Sequence, residues 1–376
     1  MVEIVEINPK DKRLFKKFIE FPNKLYKGNS HYVPCLYGDE LNLLDPSKNA
    51  SFENCKARYY LAYYNGEIAG RICGIIQMLS NSIHNEKIIR FSRIDFIENI
   101  EVVKALLSAV EQFGKSEGME YIHGPLGFND LDKEGMLDGG FEYDATLATL
   151  YNYEYYPKLL KQCGYEEKCI WQEYRLTVPE KVPDKVLRVA EIAEKHNKLR
   201  YLVITKKSDI KKDWMHKILD CYDETYSVLP GTVPLSRKLR SQLADQFMMV
   251  VNLRYLPVII NEKDEVVAYG LSFPLVSKCV KKSSGHLTLP TLLKILKEVK
   301  NPTGLELGIV GVKLEYRKTG AIAMVLKSVI EQLNSDGIAE VETNPELIDN
   351  HSMQTLWSSF ERLQHKHRIS LIKKID

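Results

Sequence analysis

The sequence lacks the features that mark membrane, metal-dependent and disulfide-rich proteins. None of its apolar runs approaches the ~20 residues that a membrane-spanning helix needs. The seven cysteines are scattered and form no Cys-x-x-Cys pair, so neither a disulfide framework nor a zinc site is indicated. The nine histidines show no metal-ligand spacing, and we therefore expect no metal.

The chain also lacks an excess of charge of either sign. Its 52 basic and 50 acidic residues leave a net charge of +2, which argues against a nucleic-acid partner or a membrane-surface partner. The first residues, MVEIVEINPKDK, contain no apolar signal segment, so we expect a cytoplasmic protein. A hydrophobic content of 44% and a charged content of 27% are typical of a globular protein, and 376 residues suffice for two domains.

The most informative stretch is Gly304–Gly337. It opens with an apolar run, Leu305–Val312, that predicts a buried strand, and it closes with apolar residues at helical spacing before a C-terminal glycine. Between them lies the basic turn Arg317–Gly320. A turn of this kind before a helix suits a phosphate group, because free backbone N–H groups and the helix dipole attract an anion. An ordinary strand–turn–helix with solvated basic residues fits the same spacing, and the pattern alone leaves both interpretations open.

The order of elements repeats at about half the chain length. A predicted hairpin around Asn65-Gly66 in the first half matches another around Asn261–Asp264 in the second half. When Gly118 is laid on Gly337, the helices before them run in step. Prolines at 179 and 183 interrupt the chain, so we predict two domains, 1–178 and 179–376.

The basic turn resembles the signature loop of the GNAT acyl-CoA transferase superfamily, Arg/Gln-x-x-Gly-x-Gly/Ala. Arg317 and Gly320 match this pattern, whereas Ile322 replaces its last small residue. Several other stretches resemble a group of bacterial tandem GNAT-like proteins, namely VPCLYGDE, GPLGFND, DGGF, YYPKLLKQCGY and IDNHSM. The resemblance implies an α/β (α+β) fold of two tandem GNAT-like domains, each with a mixed, mostly antiparallel sheet flanked by helices.

The resemblance also implies a set of site residues in the second domain. Acetyl-CoA or another acyl-CoA would be the co-substrate, and a strand edge would bind its pantetheine arm. The implied binding residues are Gly311, Val312, Arg317, Lys318, Thr319, Gly320, Ala321 and Asn350. Glu306 is the candidate base, although a plain outward-facing strand residue fits equally well. Many relatives carry a tyrosine acid seven residues after the asparagine, where this chain has Trp357, so Tyr316 or a water molecule is the substitute candidate.

The first domain looks degenerate. In the overlay of the two halves, Glu98 and Glu101 fall on Arg317 and Gly320, and carboxylates there would repel a pyrophosphate. Four further carboxylates in the first half are candidates for an amine-acceptor site, or else plain loop residues: Asp130, Asp132, Glu134 and Asp138.

Two classes of function remain open. The first is an acyl-CoA-dependent N-acyltransferase that works from the second domain on a small-molecule amine or metabolite. The second is a non-catalytic protein that binds acyl-CoA or a metabolite. Transfer from aminoacyl-tRNA fits poorly, because a grip on tRNA requires a basic surface. The sequence does not decide whether the protein is an oligomer.

Overall fold

The structure is a computed structural model that describes residues 1–227 and 232–375. The chain forms two compact units. Unit 1 consists of Met1–Gln172, Ser277–Thr291 and His365–Asp376, and unit 2 of Glu173–Val276 and Leu292–Gln364. This grouping differs from the predicted domains 1–178 and 179–376, because two later segments pack with the N-terminal residues. The predicted domain boundaries stay a prediction.

The secondary-structure elements alternate along the chain. The first part contains β1 (Val2–Ile7), α1 (Lys12–Leu25), α2 (Tyr37–Leu43), β2 (Cys55–Tyr64), β3 (Glu67–Gln77), α3 (Met78–His84), β4 (Ile88–Phe96), α4 (Ile100–Ser116), β5 (Tyr121–Gly124), β6 (Met136–Gly139), α5 (Tyr155–Gln162) and β7 (Glu166–Thr177). The second part contains α6 (Asp184–Lys195), β8 (Arg200–Tyr201), α7 (Lys207–Asp209), α8 (Met215–Tyr226), α9 (Arg237–Val250), β9 (Val258–Ile260), β10 (Val266–Pro274), α10 (Ser277–Lys281), α11 (Leu289–Lys300), β11 (Leu305–Val312), α12 (Ala321–Ser335), β12 (Glu340–Thr343), β13 (Glu346–Leu347), α13 (His351–Leu356) and β14 (Glu361–Lys374).

The sheet of unit 1 is antiparallel from β1 to β4 and then mixed. Strand β4 pairs in parallel with β5 over Ile88–Arg90, and β5 pairs antiparallel with the end of β14. Helix α4 covers the sheet with a stripe of buried residues that includes Val103, Leu106 and Val110. A separate aromatic cluster around Phe15, Phe18 and Tyr59 joins α1 to β2.

Unit 2 repeats this plan. Strands β8 to β11 are antiparallel, β11 pairs in parallel with β12, and β12 pairs antiparallel with Arg175–Thr177 of β7. Helix α12 packs on one face of the sheet through Val329, Ile330 and Leu333, against Leu305 and Val341. The predicted class, a mixed and mostly antiparallel sheet flanked by helices in each half, is confirmed.

Local sequence signals account for many of these elements. Asn65 and Gly66 adopt φ angles of 52° and 82° in the predicted hairpin turn, as a tight two-residue turn requires. Asp11 and Ser236 cap α1 and α9 with their side-chain oxygens, a role that both residue types favour.

Candidate functional site

The strands β11 and β12 part soon after they meet. Their parallel pairing covers Leu305–Leu307 and Val341–Thr343, and one further bond joins the Asn344 N–H to the Leu307 carbonyl at 3.1 Å. In the part of the chain that the structure describes, β11 continues to Val312 without a residue of β12 beside it. The two strands therefore splay apart beyond residue 307. Backbone groups on a parted strand edge can bind an extended amide chain.

A bulge in β11 lies at the start of this parting. Ser272 pairs with Leu307 and Leu271 pairs with Ile309, so Gly308 is the extra residue. A Cβ atom at Gly308 would lie 2.7 Å from the Leu271 carbonyl oxygen. A residue without a side chain is therefore required at this bulge.

The loop after β11 brings a tight turn to the start of α12. Leu314–Tyr316 form a 3-10 turn, and the Thr319 hydroxyl donates to the Tyr316 carbonyl at 2.8 Å. Gly320 then stands at the N-cap with φ 87°. A Cβ there would meet the Val189 carbonyl oxygen of α6 at 2.7 Å. Gly320 is thus required by its backbone conformation and by the close approach of a neighbouring helix.

Helix α6 was not predicted, although the sequence contains its signal. Pro183 precedes Asp184 at its start, and the buried residues Val186, Ala190 and Ala193 follow at helical spacing. These residues pack on α12 beside Ala321 and Val325. The small alanines allow the close helix–helix contact that supports the loop. Just beyond α6, Asn197 donates to the Thr319 carbonyl at 2.8 Å and tethers the loop directly.

The basic side chains of this loop are exposed to solvent. Among the described residues, no carboxylate forms an ion pair with Arg317 or Lys318, and no side chain caps α12. The first N–H groups of α12, at Ala321 and Ile322, have no intrahelical partner because of their position. Together these donors form a positive helix start that can bind a phosphate.

The corresponding helix start in unit 1 is closed. The Asn99 side chain accepts hydrogen bonds from the backbone N–H groups of Glu101 at 2.9 Å and Val102 at 3.4 Å. The end of strand β4 is closed as well: Phe96 donates its N–H to Tyr156 and accepts from the Tyr155 hydroxyl at 2.7 Å. The chain's own side chains therefore satisfy the groups that a ligand would use.

Glu306 is not a solvent-exposed strand residue. Its relative exposure is 3%. Strand register places it in one row across the sheet, next to Phe273 on β10 and Glu342 on β12, with Arg175 beyond Glu342. Arg175 forms an ion pair with Glu342 at 3.3 Å. This row lies on the sheet face opposite α12, because the alternate residues pack on that helix.

Tyr316 lies far from Glu306. Its hydroxyl accepts a hydrogen bond from the Asn261 side chain at 3.0 Å, at the turn before β10. Glu306 pairs with Phe273 at the other end of β10, and Val266 and Phe273 are about 23 Å apart along an extended strand. The structure does not bring the two predicted catalytic residues together.

The other predicted binding residues have structural roles. The Asn350 side chain caps α13 by accepting from the Met353 N–H at 3.4 Å. Val312 packs beside α12, and a Cβ at Gly311 would lie 2.6 Å from the Tyr269 ring. Both strand residues offer their backbone, rather than a side chain, to a ligand.

Trp357 is buried in the core and cannot reach a thiolate in solvent. Its relative exposure is 5%, and its indole N–H donates to the Glu346 carboxyl group at 2.6 Å. Burial raises the pKa of Glu346 to about 7, while the Trp357 hydrogen bond and Arg362 oppose that rise. The other oxygen, Oε2, is buried and has no hydrogen-bond partner among the described residues. Sequence reasoning missed this acid, because its burial depends on the packing of α13.

Three of the four carboxylates singled out in the first half lie near one another, and the fourth has different neighbours. Asp132 forms a two-pronged ion pair with the buried Arg93, at 2.7 and 2.8 Å. Burial raises the pKa of Glu134 to about 8, and the charges of Asp130 and Asp132 add to this rise. Asp138 lies 3.8 Å from His367. The four therefore do not form one common site.

Both units share an architecture: an antiparallel hairpin, a strand that parts from a parallel neighbour, and a helix that starts at the parting. The chain has a tandem GNAT fold. A tandem GNAT protein from the clavulanic acid biosynthesis pathway aligns with 100% of this chain and 99% of its own, with a TM-score of 0.58 and 11% identity. A probable N-acyltransferase from Enterococcus faecalis V583 aligns with 100% of this chain and 73% of its own, with a TM-score of 0.51 and 8% identity.

Two curated proteins are similar in sequence. Protein YghO of Escherichia coli K12 is 29% identical over 157 residues, which are 42% of this chain and 40% of YghO, so the match spans less than half of that relative. A bacterial ceramide synthase of Caulobacter vibrioides is 21% identical over 310 residues, 80% of this chain and 78% of that protein. No family model matches the sequence.

Two features are absent from residues 1–227 and 232–375. No group of histidine, cysteine, aspartate and glutamate side chains there has the arrangement of a metal site. No described helix is both long and apolar enough to span a membrane.

Proposed function

We propose that the chain is an acyl-CoA-dependent N-acyltransferase that works from unit 2, with acetyl-CoA as the first co-substrate to test. One observation carries this proposal. The parted edge of β11 leads into the loop before α12, where the exposed Arg317 and Lys318 flank an uncapped helix start. A pantetheine arm has amide groups for such an edge, and a pyrophosphate has the charge for such a helix start.

In this proposal the backbone of β11 binds the thioester, and Glu306 acts as the base. The N–H groups of β11 hold the thioester and polarise its carbonyl group, and the amine attacks the carbonyl carbon. Glu306 accepts a proton from the ammonium group, either directly or through water. The carbon–sulfur bond then breaks, and the thiolate leaves and takes up a proton. A water molecule supplies that proton, because the buried Trp357 stands where the usual tyrosine acid would be.

The acceptor is proposed to be a small-molecule amine. Glu306 lies beside Glu342 on one sheet face, and Glu342 is paired with Arg175, so the amine class follows from the role of Glu306 as a base and not from a surplus of negative charge. One relative is named as a ceramide synthase. A ceramide is an N-acylated amine, so this name supports acyl transfer to nitrogen and makes long-chain amines worth including among the acceptors.

A non-catalytic acyl-CoA-binding protein is the second candidate. The buried Trp357 at the position of the usual tyrosine favours it, and so does the distance between Tyr316 and Glu306. Both candidates share the binding site and differ in turnover.

The test combines binding with thiol release. Arg317→Glu replaces attraction by repulsion at the phosphate position, and we expect it to weaken binding of coenzyme A by a factor of ~100 or more in calorimetric titration. Glu98→Ala in unit 1 should leave binding unchanged. The charge reversal Arg13→Glu, at another exposed arginine, controls for net charge. Equal weakening by Arg317→Glu and Arg13→Glu would reject the site.

Thiol release from acetyl-CoA, measured with a panel of short and long amines, separates the two candidates. Release that depends on an amine and is lost in Arg317→Glu supports the enzyme. Tight binding of coenzyme A without release for any amine supports the binding protein.

A further inference from the structure

Unit 1 contains a pocket that the proposed function does not use. It has a volume of about 440 Å³, which is within the range of small-molecule sites. Its lining includes three tyrosines, two glutamates and a histidine: Tyr151, Tyr153, Tyr155, Glu142, Glu154 and His31. Tyr151 and Tyr153 come from the segment that links β6 to α5, and Tyr155 is the first residue of α5.

The tyrosine rings are held in place through their hydroxyl groups. Tyr151 donates to the Phe141 carbonyl at 3.1 Å, and Tyr155 donates to the Phe96 carbonyl at 2.7 Å. Tyr153 donates to the Leu25 carbonyl at 3.3 Å, and its ring stacks on Tyr155 with centroids 5.5 Å apart. With their O–H donors bound to the backbone, the rings present carbon surface to the pocket and lose little freedom when a ligand binds.

The pocket carries negative charge that no neighbouring side chain neutralises. Within residues 1–227 and 232–375, neither Glu142 nor Glu154 forms an ion pair or a side-chain hydrogen bond, and both are exposed. The nearby lysine has another partner, because Lys281 forms an ion pair with Asp144 at 2.7 Å, and the His31 ring lies 3.1 Å from the same carboxylate.

We propose that this pocket binds an organic cation, an alkylammonium group whose charge lies between Glu142 and Glu154 and whose carbon atoms contact the tyrosine rings. Aromatic faces attract cations through their quadrupole, most strongly in pockets formed by several rings. The carboxylates add Coulomb attraction and select against anions. This inference is independent of acyl transfer: it would stand if unit 2 had no activity.

A neutral polar ligand is the competing occupant, because tyrosine rings also contact uncharged surfaces. The neutral ligand would gain the same contact area but nothing from the two carboxylates. Pairs of ligands with equal shape and different charge therefore distinguish the two.

The experiment is a calorimetric titration of the full-length chain. Choline and n-butylammonium are the probes. The uncharged counterpart of choline is 3,3-dimethyl-1-butanol, and that of n-butylammonium is 1-butanol. We expect both cations to bind in the millimolar range or tighter, with the neutral partners at least about tenfold weaker, which corresponds to roughly 1.4 kcal/mol.

Variants then place the binding in this pocket. Glu142→Gln combined with Glu154→Gln should weaken choline binding at least about fivefold, and Tyr153→Leu should do the same through the lost ring. Glu86→Gln, at an exposed glutamate outside the pocket, is the matched control and should have no effect. The glutamates are exposed, so their exchange should leave the melting temperature unchanged and folding intact.

The inference would be overturned if neither choline nor n-butylammonium bound at about 50 mM. Equal affinity for choline and its neutral partner, or unchanged choline affinity in the double glutamine variant, would overturn it too. Equal weakening by Glu86→Gln would also overturn it, because it would reveal unspecific attraction by net charge.

Discussion

Glu306 is the residue whose substitution separates chemistry from binding. Glu306→Gln keeps the size of this buried side chain but cannot accept a proton. Loss of a general base typically lowers the rate by ~10²–10⁴, so we expect kcat for amine acylation to fall by that factor. The affinity for coenzyme A should stay within about twofold, since the phosphate groups are assigned to the loop after β11 and not to this end of the strand.

Steady-state kinetics and calorimetry on the same preparations check this prediction. Glu340→Gln, at an exposed position of the neighbouring β12, is the control. Unchanged kcat in Glu306→Gln from pH 6 to 9 would make Glu306 a structural residue. A parallel loss of kcat and coenzyme A affinity would show that the buried row supports the fold of the site instead.

Glu346 predicts a pH dependence of stability. Burial raises its pKa from 4.5 to about 7 in the folded protein, so the neutral form is favoured by folding. The stabilisation is fully present below the unfolded-state pKa of about 4.5 and is lost as the pH rises through 7. A difference of this size corresponds to about 3 kcal/mol of unfolding free energy between those limits.

Thermal unfolding from pH 4.5 to 8.5 tests it. Glu346→Gln still accepts the Trp357 hydrogen bond but does not titrate, so the difference in melting temperature between this variant and the wild type should shift in favour of the variant as the pH rises. Glu134, whose pKa is raised to about 8, titrates in both proteins and cancels. A pH-independent difference would disprove the raised pKa of Glu346.

Most elements with a strong local signal could be predicted from the sequence. The hairpin turns, the caps at Asp11 and Ser236 and the bulge at Gly308 depend on a few neighbouring residues. The bounds of a strand are harder to predict from the sequence when its length depends on a partner strand. The apolar pattern of 199–204 suits a longer strand, but β8 covers only Arg200–Tyr201, because its partner β9 is itself only Val258–Ile260.

The candidate site could be predicted in part for the same reason. The glycines and basic residues of its loop are adjacent in sequence, and the structure keeps them together. The capping of Phe96 by Tyr155 and Tyr156 joins residues far apart in the chain, as does the contact of Gly320 with α6. No spacing rule in the sequence reports such contacts.

At the start and the end of α12, two glycines should differ in the stability that is lost when each is replaced by alanine. Gly320 and Gly337 both have positive φ, 87° and 71°, but a Cβ at Gly337 meets nothing within 4 Å. Gly337→Ala should therefore cost about 1 kcal/mol of stability through backbone strain alone. Gly320→Ala should cost about 1–3 kcal/mol more, because the new methyl group clashes with the Val189 carbonyl.

Denaturant unfolding measures both costs, and coenzyme A titration adds a second readout. Gly320→Ala should also weaken coenzyme A binding, whereas Gly337→Ala should not. Equal destabilisation by the two exchanges would mean that α6 moves aside without cost and does not define the shape of the loop.

At the scale of the whole molecule, two copies of one fold have acquired different helix starts. In unit 1, Asn99 caps α4 and tyrosine hydroxyls occupy the end of β4. In unit 2, no side chain caps α12, and β11 extends beyond its pairing with β12. The proposal therefore requires that coenzyme A contact the strand–loop–helix segment of unit 2 and not the equivalent segment of unit 1.

Hydrogen–deuterium exchange with and without coenzyme A measures this asymmetry. Ligand contacts protect backbone amides by stabilising the closed state, so we expect slower exchange at residues 308–325 and no change at the equivalent residues 89–106. Arg317→Glu should abolish the protection, and Glu98→Ala should preserve it. Protection at 89–106 alone would move the nucleotide site to unit 1. Protection of both segments would mean that the Asn99 cap and the tyrosines give way to the ligand, in which case the first copy of the fold is a second binding site.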